Sequence, residues 1–151
     1  MPLNIMETNT DLNKEISFDS FKSQVLKDYE LIVISREASL LGRREVLSGK
    51  GKFGIFGDGK ELPQIALAKV FQNGDFRSGY YRDQTFMMAI DELTPKQLFS
   101  GLYANTDLKE EPMSAGRQMG AHFNTVSLNE DGSWKDLVNQ KNSSSDVSCT
   151  G

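Results

Sequence analysis

The chain has 151 residues, of which 25% are charged and 38% apolar, with a formal net charge of -4. That length suits one domain with its own core, and that balance excludes a disordered or membrane-embedded class. No basic face offers itself to nucleic acid, no apolar run approaches the roughly eighteen residues of a bilayer span, and no basic-then-apolar leader marks secretion. Residues 1–18 are mostly polar and read as a flexible N-terminal arm, with 19–151 as one domain. Asp19 or Ser20 is placed to cap a long helix, because Phe21, Val25, Tyr29, Ile32, Val33, Leu40 and Val46 recur at helical spacing. The stretch Leu31-Ile32-Val33-Ile34, rich in β-branched residues, would suit a strand, but the flanking period favours helix. Arg36, Glu37, Arg43, Arg44 and Glu45 fall off the apolar line and read as a solvated stripe with local ion pairs. Ser48-Gly49-Lys50-Gly51-Lys52 stops that helix.

Phe53-Gly54-Ile55-Phe56 reads as a short extended piece. Gly57-Asp58-Gly59-Lys60-Glu61 lacks the Gly-Lys-Ser/Thr ending of a phosphate loop and reads as a turn into a helix over 61–71, with Pro63 in its first turn. Asn73-Gly74-Asp75 breaks that helix, and Phe76 to Tyr80 leads to Gly79-Tyr80-Tyr81-Arg82-Asp83-Gln84. Gln84 to Ile90 follows as a buried helix. Thr94-Pro95-Lys96-Gln97 is a capping box that opens another, with Leu98, Phe99, Leu102 and Tyr103 on one face. An acidic loop over 105–115 leads to Gly116–Phe123, which holds the single histidine, His122. The tail from Asn142 is expected to end without helix or strand, and its Asn-Ser-Ser acceptor pattern reads as chance.

Two stretches carry chemistry. Arg82 offers fixed donors that grip phosphate through two of them, and the Tyr81 hydroxyl can add another. The alternative is a structural Arg-Asp pair beside two half-buried tyrosines. His122 is either a hydrogen-bonded structural residue or a proton-handling one. No second histidine or cysteine-rich cluster lies near it, so no metal site is expected from side chains of this chain. The one cysteine, Cys149, cannot close an internal disulfide and fits a cytoplasmic location.

The order Gly79-Tyr80-Tyr81-Arg82-Asp83-Gln84, then Leu98-Phe99 with Leu102-Tyr103-Ala104-Asn105, then Gly116-Arg117-Gln118-Met119-Gly120-Ala121-His122-Phe123, resembles one family. It is the alpha part of the thiamine diphosphate-dependent decarboxylating component of 2-oxo acid dehydrogenase complexes, and the similarity runs from about Glu30 onward. The resemblance implies an α/β fold, of which this chain is the N-terminal, helix-rich part, truncated before most of its parallel sheet. It implies oxidative decarboxylation of pyruvate or a branched-chain 2-oxo acid, with the acyl group passed to a lipoyl-bearing acyltransferase component. Tyr81 and Arg82 would bind the cofactor and His122 would act near the substrate, with Arg117 as an anchor of its loop. Magnesium ligands are expected outside this chain, and so is a beta part on the same or a separate chain. Neither nucleic acid nor membrane is an expected partner. The competing expectation is a non-catalytic helical interaction module with a structural Tyr-Arg loop.

Overall fold

Ser17, not Asp19 or Ser20, starts the longest helix of the computed structural model, which describes residues 15–145. Its hydroxyl accepts from the Ser20 amide at 3.2 Å, and α1 then runs Phe18–Leu47. Residues 1–14 of the expected N-terminal arm lie outside the described ones. The strand-like Leu31–Ile34 stays helical, since tertiary context overrides local β preference. Gly49, at φ +79°, ends α1. The Lys50 amide reaches the Glu45 carbonyl and the Gly49 amide that of Val46, which together make a complete Schellman motif.

The face that α1 buries is not the one its apolar period marks. Ser35, Ala38, Ser39 and Gly42 are buried, while Phe21, Val25, Tyr29, Val33 and Leu40 are exposed. Small residues on the inner face let other elements approach closely. A Cβ at Gly42 would lie 2.3 Å from the Phe56 ring. Among the described residues the charged stripe pairs locally only at Glu45, which meets Lys50 at 3.6 Å. Arg36 reaches Glu61 and Arg43 reaches Asp58, both beyond the end of α1.

Helix α2 covers Glu61–Val70, with Pro63 in the first turn where its missing N–H is harmless. After the Gly74 break (φ +88°), strand β1 spans Phe76–Gly79. Helix α3 is Gln84–Ala89 and α4 is Pro95–Leu102. Both arms of the Thr94/Gln97 capping box are formed. On α4, Leu98 and Leu102 are buried and Phe99 packs partly against the core, whereas Tyr103 is the exposed cap.

One sequence expectation fails here. Residues 53–56 lie in no helix or paired strand, but the tail at 142 does close on a strand: β2, Asn142–Ser145, pairs parallel with β1, Phe76 opposite Asn142. Asn142 explains the closure. It is buried, and its amide donates to the Leu137, Gln140 and Asp75 carbonyls, while its backbone N–H adds a second bond to Asp75. Serine and asparagine side chains announce no strand, so the pairing rests on that anchor and not on β propensity.

The core is centred on α3. Phe86 and Met87 are essentially inaccessible, and Phe71, Ala68, Ala38, Leu93, Leu98 and Phe123 close around them. Burying each such large side chain contributes about 1.5–3 kcal/mol. A polar seam crosses the α1–α3 contact. Thr85 and Ser35 share a 2.7 Å hydroxyl bond, and the Gln84 amide donates to the Ser35 carbonyl and the Ser39 hydroxyl. The described part is therefore a mixed, helix-rich fold with a small parallel sheet, compatible with an α/β class. Among the described residues no helix is long and apolar enough to cross a membrane.

Candidate functional site

The turn Gly57–Gly59 and helix α2 converge on the backbone of Arg82. The turn Gly57–Gly59 closes with the Lys60 amide on the Gly57 carbonyl, and Gly59 takes φ +92°. Glu61, at the first position of α2, turns its carboxylate back onto the Gly59 amide through both oxygens, 3.2 and 3.0 Å. On its outer side the same carboxylate accepts the Arg36 fork, at 2.6 Å from Nε and 2.9 Å from the second nitrogen. The Arg36 hydrogen bond holds the Glu61 carboxyl below its usual range, against burial, and the Gly59 amide adds to it. The turn so fixed presses Gly57 against the Arg82 backbone, where a Cβ would lie 2.1 Å from the Arg82 carbonyl oxygen. Gln64 of α2 completes the seat. Its amide donates to the Arg82 carbonyl at 3.0 Å, and its carbonyl accepts from the Phe86 amide at 2.9 Å.

Asp83 does not pair with Arg82. Its carboxylate binds Arg77 of β1 and accepts from the Tyr80 amide, and the Arg77 guanidinium stacks 4.1 Å over the Phe86 ring. The structural Arg-Asp pair exists, but its arginine is Arg77. Arg82 makes no ion pair among the described residues. Its guanidinium stands 5.4 Å from the Tyr81 ring, and its Nε is buried with no hydrogen-bond partner there. The Tyr80 and Tyr81 rings lie 4.1 Å apart, tilted by 35°, and the Tyr80 hydroxyl donates to that of Tyr81 at 2.7 Å. The Tyr81 hydroxyl keeps its own proton to give.

Arg82 lines a cleft of about 410 Å³ together with Arg43, Asp58, Phe56, Ile55 and Val46. Arg43 and Asp58 neutralise each other at 2.6 Å, so Arg82 leaves the cleft one positive charge in excess.

His122 lines a different and far smaller cavity, about 20 Å³, with Glu111, Gln97 and Ser114. That volume holds about one water. The ring is 5% exposed, and its Nδ1 lies 2.8 Å from the Met119 carbonyl. A carbonyl only accepts, so Nδ1 carries the hydrogen and the neutral ring's lone pair sits on Nε2. Nε2 is buried without a partner among the described residues. The loop ahead of it hangs on Glu111, whose carboxylate accepts from the Met113, Ser114 and Gly116 amides and the Ser114 hydroxyl. Burial alone would raise that carboxyl; the donors from Gly116, Ser114 and Met113 outweigh it and hold it low. Arg117 donates its Nε to the Ser114 carbonyl and so anchors the same loop.

The structure therefore brings Tyr81 and Arg82 together and sets His122 in a separate cavity. Sequence reasoning missed Arg43, Gln64, Arg77 and Glu111. A carboxylate ahead of the Met113, Ser114 and Gly116 amides in a tight loop was the one readable signal, in Glu111-Pro112-Met113-Ser114-Ala115-Gly116. Among the described residues no group of three His, Cys, Asp or Glu side chains could hold a metal ion. No family model, no curated protein and no solved structure matches the chain.

Proposed function

We propose that this chain is part of a decarboxylating 2-oxo acid dehydrogenase that uses thiamine diphosphate, in which Arg82 and Tyr81 hold the diphosphate. The observation that carries the reading is Arg82 itself: a guanidinium relieved of its neighbour Asp83 by Arg77, lining a cleft with net positive charge, with a buried Nε that no group among the described residues satisfies. An orphaned charged donor in a cleft is costly unless a ligand meets it. The diphosphate end of the cofactor fits that donor set. The finer fold assignment, the helix-rich leading part of a thiamine diphosphate-binding fold, belongs to this proposal, as does a cytoplasmic location.

Bound thiamine diphosphate supplies the electron sink for loss of carbon dioxide from the 2-oxo acid. The chain's own work is positional. Arg82 donates to diphosphate oxygens, Gln64 and Gly57 fix the backbone behind it, and Tyr81 offers its remaining hydroxyl proton. His122 takes or returns a proton at Nε2, in a part of the complete enzyme nearer the substrate. Magnesium ligands, the beta part and the lipoyl-bearing acyltransferase component come from outside this chain. One observation favours the non-catalytic alternative, a helical interaction module: the exposed apolar line along α1.

The test is an NMR titration of the isotope-labelled chain with thiamine diphosphate, with thiamine as the phosphate-free control. Shifts are expected at Arg82 and Gly57–Gly59 with the diphosphate alone. A hydrogen bond to a charged group contributes roughly 1.5–3 kcal/mol, so Arg82→Ala should weaken binding about tenfold to a hundredfold. Equal affinity in wild type and variant, or equal shifts from thiamine, rejects the reading.

A further inference from the structure

On the reading that Arg82 holds phosphate oxygens, we infer that Asp58 is the specificity-determining residue of its cleft. By holding Arg43 it keeps the cleft a site for one anionic group; without it, Arg43 and Arg82 together take a diphosphate. Two arginines line the cleft, and Asp58 is the one acidic residue that lines it with them. Val46, Leu47, Ile55 and Phe56 make up the rest with Gly54, so no other charge competes for the three.

The Arg43–Asp58 pair is built to part at one side only. It meets through one nitrogen and one oxygen, at 2.6 Å. A guanidinium has five donors, so that contact leaves most of them unspent. The Arg43 side chain is 52% exposed, and an exposed ion pair is weak enough for an incoming anion to break. Asp58 is the better fixed partner, at 21% exposed. Its turn is pinned on both flanks, with Gly57 against the Arg82 carbonyl and the Gly59 amide on Glu61. The long Arg43 side chain can swing to a ligand, whereas the Asp58 carboxylate stays with its turn. It therefore acts twice, as a rival for Arg43 and as a like charge beside the second phosphoryl group.

The charge count gives the selectivity. Two arginines less one carboxylate leave the cleft with one positive charge, enough for a single phosphoryl group. A diphosphate carries more, and its second group meets Asp58. Asp58→Asn removes the rival without changing the side chain's shape. It frees a second guanidinium fork, so that each phosphoryl group has its own arginine.

The test is calorimetric titration of the chain with inorganic pyrophosphate and with orthophosphate, without magnesium and at low salt. Wild type should bind the two with similar, weak affinity. Asp58→Asn should bind pyrophosphate at least about tenfold more tightly and gain much less for orthophosphate, and raised salt should shrink the gain. Asp58→Glu, which keeps the charge, should behave as wild type. So should Asp19→Asn, which removes the same charge in the first turn of α1, about 36 Å along the helix from Arg43. Adding Arg43→Gln to Asp58→Asn should cancel the gain. Arg43→Gln alone leaves Asp58 to offset Arg82 and should abolish pyrophosphate binding. Circular dichroism confirms that each variant folds. An unchanged pyrophosphate affinity in Asp58→Asn, an equal gain in Asp19→Asn, or a gain that survives Arg43→Gln overturns the inference. If wild type meanwhile binds thiamine diphosphate through Arg82, the proposed function stands without it. If Asp58→Asn tightens pyrophosphate as expected but thiamine diphosphate does not engage Arg82, the cofactor is wrong and the role of Asp58 stands.

Discussion

The Glu61 carboxylate accepts from Arg36 on one side and from the Gly59 amide on the other, so one side chain ties α1 to the turn that seats Arg82. Its folded carboxyl titrates below the ordinary value of 4.5, chiefly through the Arg36 hydrogen bond. Between those two values the unfolded chain holds the proton and the folded one does not, so stability falls as pH drops. The contribution is fully present above the ordinary value and is lost as pH falls through the folded one. Glu61→Gln keeps the side chain's shape but not its charge. It should lower the urea midpoint at neutral pH and make the acid limb, from about pH 5 downward, shallower than in wild type. The limb should not vanish, because Glu111 is held low in the same sense. Parallel acid limbs in the two proteins would show that the Arg36–Glu61 pair adds nothing. Glu61 also shows where the sequence stopped speaking. Its place at the start of a helix was legible. Its partner lies 25 positions back, and nothing in Arg36 distinguishes a long-range fork from a solvated charge. Arg77 took Asp83 for the same reason: proximity in space, six residues from it in sequence, overrode the adjacent Arg82.

At the scale of elements, α1 and α4 end in the same motif with different residues. After α4 the Asn105 amide bonds the Ser100 carbonyl and the Ala104 amide that of Gly101, as Lys50 and Gly49 do after α1. Ala104 sits at φ +54° where glycine stands in α1. An L-residue in that conformation costs about 1–2 kcal/mol, and Ala104 is exposed, with little apolar burial to offset it. Ala104→Gly should therefore stabilise the protein by about 1 kcal/mol, and Gly49→Ala should destabilise it by about 1–2 kcal/mol. A Cβ at Gly49 meets nothing within 4 Å, so the second change isolates backbone strain from crowding. Thermal unfolding of both variants checks the pair, and shifts of the same sign would refute the account. The same contrast explains what was legible in the fold. Caps and stops follow local chemistry, so Gly49, Gly74 and the Thr94 capping box could be read directly. Which face of α1 turned inward could not, because close packing through Ser35, Ser39 and Gly42 beat apolar period. The β1–β2 pairing could not either. Its register is set by Asn142 on the Asp75 carbonyl, a contact between positions 67 apart that exists only once the chain has folded.

For the whole molecule, the balance of charge in the Arg82 cleft limits what the chain does alone. Arg43 is spent on Asp58, which leaves a single guanidinium to meet a diphosphate that carries several negative charges. Among the described residues no cluster of three acidic, histidine or cysteine side chains is available to hold a divalent ion beside it. Neutralising a diphosphate takes a metal as well as arginine, and magnesium binds through carboxylates and phosphate oxygens together. The chain by itself should then bind thiamine diphosphate weakly, with little dependence on magnesium, and should not decarboxylate a 2-oxo acid. The check has two parts. Thermal shift and heat of binding are measured with the cofactor, with and without magnesium. Decarboxylation of pyruvate and of a branched-chain 2-oxo acid is then followed with an artificial electron acceptor. Expected are a small, magnesium-independent shift and no turnover, with turnover appearing only when the beta part is supplied. Micromolar binding that requires magnesium, or turnover above blank from the chain alone, would mean that the cleft assembles a complete metal–diphosphate site from this chain.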